Sequence, residues 1–227
     1  MTILKTEDTK MNSQIRVNIG CGMTPTVGFE NYDNSLSLKL SKYSLFSTLL
    51  HKLKLINSTQ IAYIRFCQSN NIKFADARKR IPHPSDTVSP VYSSHMLEHL
   101  DRTEAGMFLL EVNRVDKSGG TLRLVLPDLS KAIARYNQNQ DADTFVESTL
   151  MCIPNTRNFL QRLRMAVIGN RHHLWMYDGK SISRLLDKNG FKKIQILASG
   201  ETTLSDYEPL DLNERADESV YIEAVKI

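Results

Sequence analysis

Cysteine is scarce, with three in 227 residues at Cys21, Cys67 and Cys152. The total is odd and no CxxC pair occurs, which argues against a disulfide-built secreted scaffold and fits a cytoplasmic protein. Long apolar runs are missing as well. Nowhere do about eighteen apolar residues follow one another, so no membrane-spanning helix is expected. The first fifteen residues carry Lys5, Glu7, Asp8 and Lys10 where a signal peptide would be apolar, so none is expected. Internal repeats and low-complexity tracts are absent, and the net charge of +4 names no partner. What is present is ordinary for a globular chain: 41% hydrophobic and 24% charged residues. A chain of this length buries about 70% of its unfolded surface and needs no disulfide or metal staple.

At roughly 150 residues per domain, the length suits one domain with insertions. Residues 1–13 are polar and irregular and read as a loose tail, leaving 14–227 as the domain. Strand patterns occur at 15–19, 29–32, 72–75, 90–94, 121–126, 191–197 and 219–226. Between 35 and 71 the apolar spacing is helical, and Leu45, Leu49, Leu53 and Ile56 predict the first of two helices. Asp101 stands three residues before Glu104, a capping box for a helix through about Val115, with Phe108, Leu109, Val112 and Val115 as its buried stripe. Further helices are expected at 129–137, 144–151, 159–168 and, capped by Asp178, 180–189. Strands alternating with helices imply an α/β chain with a doubly wound, mostly parallel sheet and helices on both faces. The last two strands have only a loop between them (198–218), which allows an antiparallel ending. The helical insertions fall at about 36–70 and 129–178.

In such a sheet, ligands sit at the carboxyl ends of the strands. Asn18, Gly20, Gly22, Asp33, Asp76, the Ser93–His95 run and Asp128 all fall there. Glycines at 20 and 22 let the backbone approach a ligand closely. A carboxylate after the second strand suits a ribose diol, and one after the third suits an exocyclic amine, so adenosine is the expected ligand. A dinucleotide is disfavoured. Pro25 stands where GxGxxG needs its third glycine, and Asp33 follows Gly22 by eleven residues where about twenty are usual.

The runs VNIGCGMTPTVGFENYD, FADARKRIP, VYSSHMLEHL and NRVDKSGGTLRLVLPDL together resemble the class I S-adenosylmethionine-dependent methyltransferases. The likeness is to the small bacterial branch with a short glycine loop (methyltransferase type 11-like), and HHLWMYDGKSISRLLDKNGFKKI and DESVYIEAVKI fit it too. The resemblance implies a Rossmann-like seven-stranded sheet with an antiparallel last strand, S-adenosylmethionine as methyl donor and S-adenosylhomocysteine as product. It implies that Gly20, Cys21 and Gly22 line the methionine part of the cofactor with Asn18 just behind. Asp33 would hold the ribose, Asp76 and Ala77 would border the adenine, and Ser94 and His95 would flank the sulfonium. The chain departs from the pattern at Ser89-Pro90, at Lys117-Ser118 and at Asp116, where an apolar residue is common.

The candidate general bases are His95, His172 and His173, since an imidazole titrates near neutral pH. Trp175 and Tyr177 either line an acceptor pocket or pack as a lid, and Asp128 either contacts substrate or caps a helix. Cys21 reads as a small residue near the cofactor. His95-Met96-Leu97-Glu98-His99 matches the inverted zinc motif HxxEH. With no third ligand evident, no metal is expected, and a zinc hydrolase or a non-catalytic adenosyl-binding scaffold are the alternatives. Between Asp33 and Asp76 no acidic residue occurs, while Lys39, Lys42, Lys52, Lys54, Arg65 and Lys73 are basic. That segment is either a cover with a solvated lysine face or a contact for an anionic membrane or a phosphorylated substrate. The acceptor expected is a small molecule or a glycan, methylated at oxygen and tied to surface-polysaccharide synthesis by analogy alone. Nucleic acid is disfavoured, because no aromatic-basic platform stands out.

Overall fold

The computed structural model describes residues 14–53, 55–152 and 172–227. Ile15–Ile19 (β1) lies between Glu30–Asp33 (β2) and Val88–Ser94 (β4), with Ile72–Phe74 (β3) at the edge beyond β2. Thr121–Pro127 (β5) follows β4 in space, then Ser219–Lys226 (β7), then Phe191–Leu197 (β6). Among the described residues these seven strands form one sheet in the order 3-2-1-4-5-7-6. β7 runs antiparallel to both neighbours, and all other pairings are parallel. The chain reverses its winding between β1 and β4, so their carboxyl ends open onto a crevice.

β4 starts two residues earlier than its apolar run suggests and carries Pro90 inside it. Ile15 pairs with Val88 and Val17 with Val91, so β4 holds one more residue than β1 across that interval. The bulge takes up Pro90, which has no N–H for a ladder. Beside it the Ser89 hydroxyl accepts the Thr121 N–H at 3.4 Å.

The main core lies on one face of the sheet. Arg102–Val115 (α4) turns Ala105, Phe108, Leu109, Val112 and Val115 inward, and Gly179–Lys188 (α7) adds Ile182, Leu185 and Leu186. Both helices start as expected. Asp101 and Glu104 exchange capping bonds, and Asp178 accepts the Ser181 N–H at 2.6 Å. On the opposite face Tyr92, Val125 and Tyr221 pack against Phe29 and against Leu210 of the 198–218 loop.

The 36–70 region differs from expectation. Three helices form, Leu36–Ser41 (α1), Ser44–Lys52 (α2) and Ser58–Ser69 (α3), because Ser35 caps the first and an Asn57–Gln60 capping box restarts the chain after Ile56. The leucines that predicted the first helix face outward. Leu45 is 88%, Leu49 51% and Leu53 59% exposed, and only Ile56 is buried, against Ile61 and Ile64 of α3. Leu129–Asn139 (α5) and Ala142–Ser148 (α6) follow β5. The helix expected at 159–168 lies outside the described residues. No described helix is long and apolar enough to cross a membrane.

Candidate active site at the carboxyl ends of the strands

Gly20 directly follows β1, and its positive φ of +74° is open to glycine at little steric cost. A Cβ there would lie 2.4 Å from Met96 Cγ, so Met96 packs directly against the Gly20 backbone and leaves room only for glycine. Gly20 and Cys21 both donate to the Tyr32 carbonyl, which fastens the loop to the end of β2. Asp33 then holds the loop from its other side. Its Oδ2 accepts the Gly22 N–H at 3.2 Å and its Oδ1 accepts the Ser35 N–H at 2.7 Å. Each carboxylate oxygen has two acceptor positions, so among the described residues one on each stays free for a pair of hydroxyls.

Gly20, Asp33, Asp76 and Ala77 line one cleft, walled by Ile19, Leu100 and Phe108. The residues fit an adenosyl group: a glycine edge without a side chain, a half-committed carboxylate and an apolar slot. Two features of the cleft were not read from the sequence. Met96 covers Gly20, and Arg78 grips Asp76 with Nε at 2.8 Å and Nη2 at 2.9 Å while also reaching Glu104. That guanidinium holds the Asp76 carboxyl below the usual range. The Asp76 side chain is therefore largely engaged, and the Ala77 backbone is the freer edge for a base.

Other residues expected here face elsewhere. Asn18 is buried and gives its amide to Thr26 Oγ1 at 3.0 Å and Asn31 Oδ1 at 3.1 Å, bracing the glycine loop from behind. Cys21 points its thiol into a cluster with Leu38, Cys67 and Ile72, where burial pushes it up to about 12. Gly22 has nothing within 4 Å of a built Cβ, so only its φ of +50° favours glycine there. Ser94 ends β4 with its hydroxyl buried and, among the described residues, unbonded.

His95 follows with a φ of +46°, a costly conformation for a non-glycine residue that concentrates at functional sites. Its ring leaves the cleft and reaches across the sheet. Nε2 lies 3.0 Å from Ser219 Oγ at the start of β7, and Nδ1 lies 3.3 Å from Arg215 Nη1 and 3.4 Å from Glu98 Oε1. Leu97–His99 forms a single 3₁₀ turn, so His95 and His99 do not share a helix face as the HxxEH spacing suggested.

Residues 172–175 close over this turn. Leu174 and Trp175 both donate to the Glu98 carbonyl, and His173 N–H donates to Leu150. The His173 ring stands 5.2 Å from that of His99, with Nε2 3.9 Å from Glu98 Oε1. Burial lowers the His173 pKa, with Glu98 pulling the other way, and the net shift is downward. Two of the three histidine candidates thus meet at one carboxylate, and the His172 carbonyl accepts from His99 Nδ1 at 3.1 Å. Glu98 was noticed only as part of the HxxEH spacing, and its meeting with His173 was missed because that contact exists only in the fold.

The acceptor-side residues divide. Tyr177 is fully buried in the core, bridged to Asp128, and is no pocket wall. Asp128 caps α5 through the Ser130 N–H at 2.9 Å. Trp175 stays on the surface with the Arg102 guanidinium 5.1 Å from its ring centre.

Solved structures share this architecture. An S-adenosylmethionine-dependent methyltransferase from Methanosarcina mazei is similar at 15% identity with a TM-score of 0.51, over 95% of this chain and 93% of that one. Another from Thermotoga maritima is 15% identical with a TM-score of 0.50, over 94% and 82%. A protein from Pyrococcus horikoshii is 17% identical with a TM-score of 0.50, over 96% and 84%. No protein-family profile matches the chain. No curated protein sequence matches it. The fold is the Rossmann-like fold of the S-adenosylmethionine-dependent methyltransferases.

Proposed function

We propose that the protein is an S-adenosylmethionine-dependent methyltransferase acting on a hydroxyl of a small-molecule or glycan acceptor. One observation carries the donor assignment: in this fold, at the switch between β1 and β4, Gly20, Asp33 and Ala77 come together in one cleft. Asp33 would take the two ribose hydroxyls and the Gly20 backbone the methionine end. When bound, the cofactor supplies a methyl group on a positively charged sulfur, already activated to leave. The acceptor oxygen forms the new C–O bond as the C–S bond breaks, and the electron pair stays on sulfur. The hydroxyl proton would pass to a base, for which the His95 imidazole just past the end of β4 is the candidate. The rest is positioning, which alone can supply about 7–11 kcal/mol of a barrier.

Incubating the protein with methyl-labelled donor and a panel of hydroxylated acceptors tests this reading. Label should appear in a sugar or small alcohol at its oxygen; transfer only to nitrogen or carbon acceptors would refute the oxygen assignment. Asp33→Ala should weaken S-adenosylhomocysteine binding by about 1.5–3 kcal/mol, through loss of charge-assisted hydrogen bonds. Equal affinity in wild type and variant would remove Asp33 from the ribose site.

The outward leucines of α2 support a second element of the proposal, a contact with an anionic bilayer where lipid-linked acceptors would be met. Leu45, Phe46, Leu49 and Leu53 are exposed together, Lys39, Lys42 and Lys52 lie in and beside the same helix pair, and no acidic side chain occurs from 34 to 75. Sedimentation with phosphatidylglycerol vesicles should carry the protein down. A Leu45→Glu/Leu49→Glu variant should stay in the supernatant, and equal sedimentation of the two proteins would exclude this face. The cytoplasm is the proposed compartment, consistent with the free thiols of Cys21, Cys67 and Cys152.

A further inference from the structure

Glu98 is 1% exposed, and among the described residues neither of its carboxylate oxygens has a hydrogen-bond partner. Leaving an ionised carboxylate dry and unbonded costs several kcal/mol unless a counter-charge sits beside it. Among the described residues no lysine or arginine lies within ion-pair distance of it; the neighbouring basic groups are imidazoles, His95 Nδ1 at 3.4 Å and His173 Nε2 at 3.9 Å, which carry charge only when protonated. Ligand atoms of Glu98, His99 and His173 all lie within 4.8 Å of one another, close enough to surround one ion.

The ring of His99 is already oriented as a ligand. A ring nitrogen facing a carbonyl must carry the proton, so Nδ1–H donates to the His172 carbonyl at 3.1 Å and Nε2 keeps its lone pair. Metal-bound histidines are commonly fixed in this way, through a backbone acceptor on the other nitrogen. His173 is held to the same place by backbone bonds on both sides, its own N–H to Leu150 and those of Leu174 and Trp175 to Glu98.

We propose that Glu98, His99 and His173 bind one divalent first-row transition cation. Two imidazoles and one carboxylate favour zinc, iron, cobalt or manganese over calcium or magnesium, which prefer all-oxygen ligands. Three protein ligands leave the remaining coordination positions to water or to oxygens of the acceptor. The site lies immediately past the end of β4, the strand end that flanks the proposed donor cleft. The acceptor class it suits is one presenting neighbouring hydroxyls, as sugars and catechols do. What the ion would do there rests on the methyltransferase reading; whether it binds does not.

The full chain, stripped with a chelator, is titrated with Co²⁺ followed by visible absorption and with Zn²⁺ in a calorimeter. S-adenosylhomocysteine affinity is measured separately on the same samples. One equivalent of ion should bind, and Glu98→Gln and His173→Ala should each weaken binding at least tenfold. Thermal melting confirms that each variant is folded, and His99→Asn replaces any that is not. His51→Ala, far from the cluster in sequence and outside it, should bind like wild type. Absence of binding, or binding of equal strength in the cluster variants, would overturn the site. Retained ion binding without S-adenosylhomocysteine binding would leave the site standing and count against the methyltransferase reading alone.

Discussion

A Glu223→Ala protein should be less stable than wild type by about 3–5 kcal/mol, the usual cost of removing one partner of a buried ion pair. Glu223 of β7 lies directly across from Arg123 of β5, and both side chains are almost wholly out of water. Arg123 Nη1 donates to Glu223 Oε1 at 2.5 Å and to the Glu201 carbonyl at 3.0 Å. The carboxylate also accepts the Thr202 hydroxyl at 2.6 Å, the Thr203 N–H at 2.7 Å and the Thr203 hydroxyl. It therefore ties the 198–218 loop to the antiparallel end of the sheet. Truncation strands a guanidinium whose Nε and Nη2 already lack partners among the described residues. Urea unfolding gives the number directly, and a loss under 1 kcal/mol would mean the pair is solvated. The double change Arg123→Met/Glu223→Leu should recover most of it, since well-packed apolar side chains often replace a buried pair without loss.

The same pair carries a pH signature. Burial alone would raise the Glu223 pKa, but the Thr202 and Thr203 hydrogen bonds and Arg123 outweigh it and the net shift is downward. A depressed carboxylate contributes stability that is complete above its unfolded pKa and lost as pH falls through its folded one. The gap between wild type and Glu223→Ala should thus be constant near neutrality and narrow in acid.

Asp116→Asn should do the reverse, and by a comparable amount. Asp116 caps the end of α4 with its side chain wholly buried, which pushes its carboxyl up to about 7. Only the Lys117 N–H, at 3.1 Å, reaches Oδ1, and Oδ2 has no partner among the described residues. A raised carboxylate makes the folded state hold a proton that the unfolded chain releases, so stability drains away as pH climbs from about 4 to about 7. Asn cannot ionise. At about 1.36 kcal/mol per unit, the variant should gain about 2–4 kcal/mol on wild type between pH 4 and pH 8. Denaturant curves at the two pH values measure the gain, and parallel pH profiles for the two proteins would show that Asp116 is not dry. The tight packing has a second witness in Gly120, where a Cβ would fall 2.1 Å from Asp116 Oδ1.

The elements legible in the sequence were those whose side chains meet the main core. α4, α7, β5 and β7 carry apolar residues at the spacing their own geometry demands and are closed by capping groups within a few residues. In the 36–70 region the helical spacing predicted two helices and three form, because periodicity does not mark where the Ser35 cap and the Asn57–Gln60 box divide the chain, and it is silent on what meets an apolar side. The start of β4 was hidden by Pro90, which a bulge accommodates.

The site divides in the same way. Gly20, Asp33 and Asp76 could be brought to one rim because strand ends in a doubly wound sheet share it, whereas Ala77 came from the family resemblance alone. Arg78 on Asp76, Met96 over Gly20 and the burial of Tyr177 depend on side-chain packing that no local pattern encodes. Glu98 and His173 are 75 residues apart and meet only because two backbone bonds draw the 172–175 segment onto the turn after β4.

The donor assignment stands or falls on the affinity of the full chain for S-adenosylhomocysteine, measured by calorimetric titration. Micromolar binding at one molecule per chain is expected. Heat no greater than that of dilution, from protein that melts cooperatively, would contradict a methyltransferase.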